Sequence, residues 1–250
     1  RIFDEFGGKL SGDIAFIGPV DNVDIASRGL RIDGGRLRIG FTNVAYNVDG
    51  PLDMNDLGLN FNGLSITDRF GNKGSVNGKI GWKGFRDIRF DTGITFSSLE
   101  VINSSESQSP MFYGNVSATG RLDITGPVHA LSLNASAMTE NRGSLHIPIR
   151  RTASAAISDL LTFKMQEKKV VTDSYEEMMG KLKEKEKQSS DLAVHLDIVA
   201  TPGVTATIEI DKSTGNILTG NGNGVITMDI RPSRGIFNIG GNYNITDGIY

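Results

Sequence analysis

The chain has 250 residues, a formal net charge of −3 and no cysteine. That length holds one large or two ordinary domains. The charge gives no basic footprint for nucleic acid, and the missing thiols exclude disulfides, thiolate metal sites and cysteine nucleophiles. Thirty-one glycines against seven prolines suit many turns, not a disordered tail. Lack of cysteine also fits an oxidising compartment. The sequence starts at Arg1 without a signal peptide or an apolar run long enough to span a bilayer, and reads as a piece of a longer protein.

Period-two alternation dominates from the start, and predicts strands. GDIAFIGPVDNVDI (12–25) opens on Gly12, places Ile14 and Phe16 on one face, turns at Gly18-Pro19 and resumes with Val23 and Ile25. GRLRIGF (35–41) aligns Leu37, Ile39 and Phe41, and NVAYNV (43–48) aligns Val44, Tyr46 and Val48. LGLNF (57–61) follows. Turn signals stand at DGG (33–35), DGP (49–51), FNG (61–63) and FGNKG (70–74). GKIGWKGFRDIRF (78–90) repeats the opening phrase, with Ile80 and Trp82 before the turn and Ile88 and Phe90 after it. GRLDITGPVHALSL (120–133) repeats it again, with Leu122, Ile124, Leu131 and Leu133. In all three a second glycine follows the first by six positions. The phrase predicts a repeated strand–turn–strand unit.

Residues 151–190 break the pattern. SAAISDLLTFKM (154–165) has Ile157, Leu160, Leu161 and Met165 at helical spacing. SYEEMMGKLKEKEKQSS (174–190) pairs Ser174 with Glu177 as a capping box, with lysines toward its end. The segment reads as a partly helical or mobile surface insertion; a helical plug or lid over the apolar face is the sharper alternative. Strands resume at HLDIVA (195–200) and VTATIEI (204–210), and the tail 225–250 reads as three or four more. The chain therefore divides into repeated strand units (1–150), the insertion (151–190) and C-terminal strands continuing the same sheet (191–250). No helical pattern alternates with the strands to cover their apolar face. The sheet must cover itself, by closing into a barrel, pairing as a sandwich or rolling into a trough.

Chemistry-bearing patterns are absent. His129, His146 and His195 are each expected on a strand, without a second ligand at zinc spacing. No calcium loop and no nucleophile elbow occur. GNGNG (220–224) lacks the Lys-Ser/Thr of a phosphate cradle and reads as a tight turn or irregular strand. KLKEKEK (181–187) is a solvated charge run. Sequons at Asn103, Asn115, Asn134 and Asn244 are expected by chance. The reading is not an enzyme, with no cofactor and no metal.

Longer phrases carry a resemblance. MFYGNVSATGRLDITGPVHALSLNASA, GSLHIPIR, VHLDIVATPGVTATIEIDKSTGNILTGNGNGVITMDI and GIFNIGGNYNITDGIY resemble the C-terminal part of the TamB family of translocation and assembly proteins, in forms of the Bacteroidetes type. TDRFGNKGSVNGKIGWKGFRDIRFD has the same character, and 165–190 is least characteristic. The YG-x-x-x-x-x-G and G-x-Y-x-I-x-x-G-x-Y phrases are the specific ones. The resemblance implies a β-taco, an elongated sheet curled around an apolar groove. It implies a periplasmic segment of a protein anchored in the inner membrane of a Gram-negative bacterium, meeting a BamA-type barrel in the outer membrane. It also implies kinship with AsmA-like bridges that move phospholipid and assist outer-membrane protein assembly.

If the all-β sheet curls in this way, Ile14, Phe16, Ile80, Trp82, Leu122 and Ile124 line its concave side, where phospholipid chains would slide. The same alternation would equally fill a closed core. An unfolded outer-membrane protein adding a strand to an edge is the second reading, with Phe237, Ile239, Tyr243 and Ile245 on the candidate edge strand. A passive spacer with no ligand is the third.

Overall fold

The computed structural model describes residues 3–19, 24–40, 42–83, 86–109, 112–148, 191–211 and 216–249. The insertion expected over 151–190 lies outside the described residues. Among the described residues twelve strands form one sheet. They are β1 (Phe3–Ile17), β2 (Asp24–Ile39), β3 (Val44–Asn55), β4 (Gly58–Thr67), β5 (Lys73–Lys83), β6 (Arg86–Ser104), β7 (Tyr113–Pro127), β8 (Ala130–Pro148), β9 (Asp191–Ala200), β10 (Val204–Asp211), β11 (Asn216–Arg231) and β12 (Ile236–Ile249). A short 3-10 turn, Pro232–Arg234, precedes the last strand.

β1 to β8 form an antiparallel meander, each strand beside the next. The three repeated phrases fall on the hairpins β1–β2, β5–β6 and β7–β8. His129 lies in the turn of the third hairpin and not on a strand. β9 and β10 then share one place in the sheet. Both run parallel to β8, β9 along 130–138 and β10 along 143–148, and β11 closes over both. Thr201, at the break between them, bonds Thr139 Oγ1 through its amide at 2.9 Å. The tail is simpler than its punctuation: 225–250 holds the end of β11 and the single strand β12, not three or four strands. GNGNG lies inside β11, beside a register shift at Asn221/Gly222.

Three expected turns are bulges. DGG sits within β2, DGP within β3 and FNG within β4, each beside a register shift in a ladder that continues. Glycine and aspartate relax the backbone at a bulge for the same reason they do in a turn, and the apolar alternation on either side holds the strand together. FGNKG is a true turn, between β4 and β5.

Glycine placement explains the curl. Bending a sheet toward one face crowds the Cβ atoms on that face. Along β4 to β7 the concave positions pair a glycine with a large side chain: Gly74 with Ile66 and Phe96, Gly78 with Phe61, Gly120 with Phe96, Gly126 with Phe90. At Gly78, φ is +127° and an added Cβ would stand 2.2 Å from the Asp91 carbonyl oxygen. Only glycine admits that approach.

The curl is tight enough to bring β3 onto β6 across the two strands between them. The Asn103 amide donates to the Thr42 carbonyl at 2.8 Å, and the Tyr46 hydroxyl to the Glu100 carbonyl at 2.7 Å. Behind these bonds lies the main core: Leu30, Val44, Tyr46, Val48, Leu52, Leu64, Ile66, Val76 and Leu99. Val44 is 0% and Leu99 2% exposed. Elsewhere the curl stays open. Among the described residues β1 pairs only with β2 and β12 only with β11, which leaves two free edges.

Candidate functional site

Strand register assigns every side chain to a face. Starting from the buried Leu64 and Val76, one concave row runs Leu64–Val76–Ile94–Leu122–Ala135–Leu196–Met228–Ile239. The adjacent row runs Phe61–Gly78–Thr92–Ile124–Leu133–Val194–Ile230–Phe237. Leu122 and Ile124 thus share rows with Ile239 and Phe237 of the edge strand. Ile80 stands between Leu59 and Phe90 on the same face, and Trp82 follows it two residues on. Tyr243 and Ile245 face Gly224 and Gly222. Ile14 and Phe16 lie on the concave side of β1, opposite Ser27 and the buried Ile25.

The structure does not bring all of these together. Ile80, Trp82, Leu122 and Ile124 are half-buried near one end of the curl. Phe16, at 68% exposure, stands beyond the packed core at one edge, and Ile239, at 47%, stands at the other. Among the described residues, no charged side chain takes a paired concave position from β7 to β12. What this face can do chemically is solvate apolar chains.

Charge collects on the convex side. An open hollow of about 690 Å³ there is bordered by Asn60, Asn77, Lys79, Asp91, Arg121 and Asp123. Arg121 folds over Gly93 to bond Asp123 at 2.5 Å, which holds the Asp123 carboxyl below the usual carboxylate range. His195 lies between two carboxylates, with Nδ1 2.8 Å from Asp229 and Nε2 3.4 Å from Asp197. The bond to Asp229 raises its pKa above the ordinary histidine value. Tyr113 stacks on His146 at 4.7 Å and donates to Glu209 at 2.6 Å, and that bond, with burial, pushes the phenol up to about 12. Among the described residues no group of three or more His, Cys, Asp or Glu could hold a metal ion, and no helix is long and apolar enough to cross a membrane.

One group of residues escaped the sequence reading. Glu100, 2% exposed, accepts from Arg69 at 2.6 Å and from Asn115 at 2.7 Å. Its amide donates to Asp68 Oδ2 at 2.9 Å. Burial would raise the Asp68 carboxyl, but amide donation from Glu100, Asn72 and Phe70 and the Asn72 side chain together hold it below the usual range. Burial, followed by the Glu100 and Asp68 charges, pushes the Tyr46 phenol up. With the Asn43 side chain donating to the Asn103 carbonyl at 2.8 Å, these residues clasp β3, the β4–β5 turn, β6 and β7 together. An aspartate opening a turn, as Asp68 does in TDRFGN, was the one legible signal; a buried glutamate leaves none.

A family model described as the TamB C-terminal domain matches residues 62–250, from within β4 to the end of β12. The chain belongs to the TamB family. No curated protein matches, and no solved structure does. TamB proteins are non-enzymatic bridge and assembly proteins of the cell envelope, acting with BamA-type partners of the outer membrane. The all-β curled sheet and the uncharged concave face suit that general role.

Proposed function

We propose that this TamB segment shields phospholipid acyl chains moving between the inner and outer membranes, with the chains on the concave face and the polar head at the open rim. The observation that carries the reading is the uncharged apolar face shared by β7 to β12. A lipid chain of roughly 14 methylenes loses about 11 kcal/mol on entering water, at about 0.8 kcal/mol each. An apolar trough removes most of that barrier. With no charged side chain among the described residues of its concave face from β7 to β12, it holds no lipid tightly at any one point, which suits sliding better than storage. In this reading the segment lies in the periplasm, within a protein anchored in the inner membrane, and hands its cargo to a BamA-type barrel.

A second reading, a scaffold for outer-membrane protein assembly, is favoured by one specific contrast between the two edges. β1 breaks register with β2 at three places and carries Glu5, Lys9 and Asp13. β12 breaks register with β11 once, and Ile236–Thr246 is uncharged. Bulges and charges guard an edge against strand addition; β12 lacks that guard.

A photocrosslinking residue at Ile124 of the full-length protein in cells separates the two. A phospholipid adduct supports the conduit, and a polypeptide adduct supports the scaffold. No adduct, in a protein that still folds and complements, removes both.

A further inference from the structure

The concave face is not one continuous trough. On the β1 side Leu10, Ile14 and Phe16 are exposed, and on the β12 side Ile239 and Ile245 are exposed. Between them β3 to β6 are rolled shut on their own side chains. Val44, Leu99 and Tyr46 fill the space an acyl chain would need, and Ile94 and Phe96 pack against that cluster.

The roll is held shut by the apolar core inside it and by a few polar bonds across its seam. β3 and β6 are not neighbours in the sheet, so no ladder joins them. Three hydrogen bonds do: Asn103 amide to Thr42 carbonyl, Asn43 side chain to Asn103 carbonyl and Tyr46 hydroxyl to Glu100 carbonyl. The β4–β5 turn locks the far side through Asp68 and Arg69, both bound to Glu100. Separating β3 from β6 breaks these few bonds and uncovers Val44, Tyr46 and Leu99, while the ladders β3–β4, β4–β5 and β5–β6 stay whole. An opening of that kind is local, because it leaves the sheet's ladders intact.

We infer that the β3–β6 clasp is a gate in the groove. While it is shut, cargo on the concave face is confined to β7–β12; cargo passes toward β1 only when Tyr46 and Asn43 release β6. This rests on the reading that the concave face carries acyl chains, and it adds where they stop and which residues stop them.

The test uses two phenylalanines on the concave face. A benzoylphenylalanine replaces Phe96, against the sealed core, or Phe237, in the open part, and the chain is irradiated with vesicles of phosphatidylethanolamine and phosphatidylglycerol. The release variant combines Tyr46→Phe with Asn43→Gly. Each removes one bond across the clasp, and glycine suits the φ of +53° at position 43. Each lost neutral hydrogen bond shifts the equilibrium about fivefold, so the Phe96 adduct should rise about twenty-five-fold on release. The Phe237 adduct should be strong in both proteins. Equal labelling at Phe96 and Phe237 without release would overturn the gate and leave the conduit standing. No lipid at either site would overturn the conduit, and the gate with it. If the release variant does not fold, the reverse experiment decides. The chain has no cysteine of its own, so Thr42→Cys with Asn103→Cys places a unique pair on the two residues whose backbones bond. In the full-length protein in cells, oxidising this pair should abolish envelope function and a reductant should restore it. Full function with the pair oxidised would overturn the gate.

Discussion

Substituting Gly78 by alanine tests whether glycines set the curl. An alanine there must adopt a φ of +127°, with its Cβ 2.2 Å from the Asp91 carbonyl oxygen. Backbone strain of that kind costs a side-chain-bearing residue about 1–2 kcal/mol. The overlap forces β5 away from β6 locally, at the cost of about one or two ladder bonds near 1 kcal/mol each. The expected loss is about 3 kcal/mol, a fall in Tm of about 6–12 °C for a chain of this size. Gly63 is the control. Its φ is +74°, with nothing within 4 Å of an added Cβ, so alanine meets strain alone, about 1 kcal/mol and about 2–4 °C. Thermal unfolding followed by far-ultraviolet circular dichroism measures both. Equal losses at the two positions, or less than about 1 kcal/mol at Gly78, would refute the reasoning that close approach, and not φ alone, demands glycine there.

Three further outcomes are expected. Leu99→Ala empties a site 2% exposed in the main core and should cost about 2–5 kcal/mol by chemical denaturation, the range for a leucine cavity that cannot collapse. His195, held between Asp229 and Asp197, has a folded-state pKa raised above its ordinary value. Its contribution is therefore full below about pH 6.5 and is lost as pH rises through the folded-state pKa; a plot of Tm against pH should show that loss, and His195→Gln should flatten it. Ile124→Arg places a charge in the middle of the concave row. It should abolish envelope function in cells while the purified protein keeps its strand signal, whereas retained function would favour a passive spacer.

The class of fold was legible because strand alternation is dense and the opening phrase occurs three times, each time across a hairpin. Period two also assigns successive strand residues to opposite faces. Punctuation misled. DGG, DGP and FNG look like turns, yet the alternation runs through them and they are bulges. Glycine frees the backbone in both cases, and the sequence does not say which. Partition of the groove was illegible. It depends on β3 meeting β6, a contact between residues 54 positions apart for Tyr46 and Glu100, and no local pattern encodes it. Glu100 reads as an ordinary outward strand residue until Arg69 and Asn115 are seen to enclose it.

Acyl chains held on the concave face should travel with the protein when it is purified gently from cells. Native mass spectrometry should then show a population heavier by the mass of intact phospholipid, lost in Ile124→Arg. A bare chain throughout, or added mass unchanged by Ile124→Arg, would contradict the conduit.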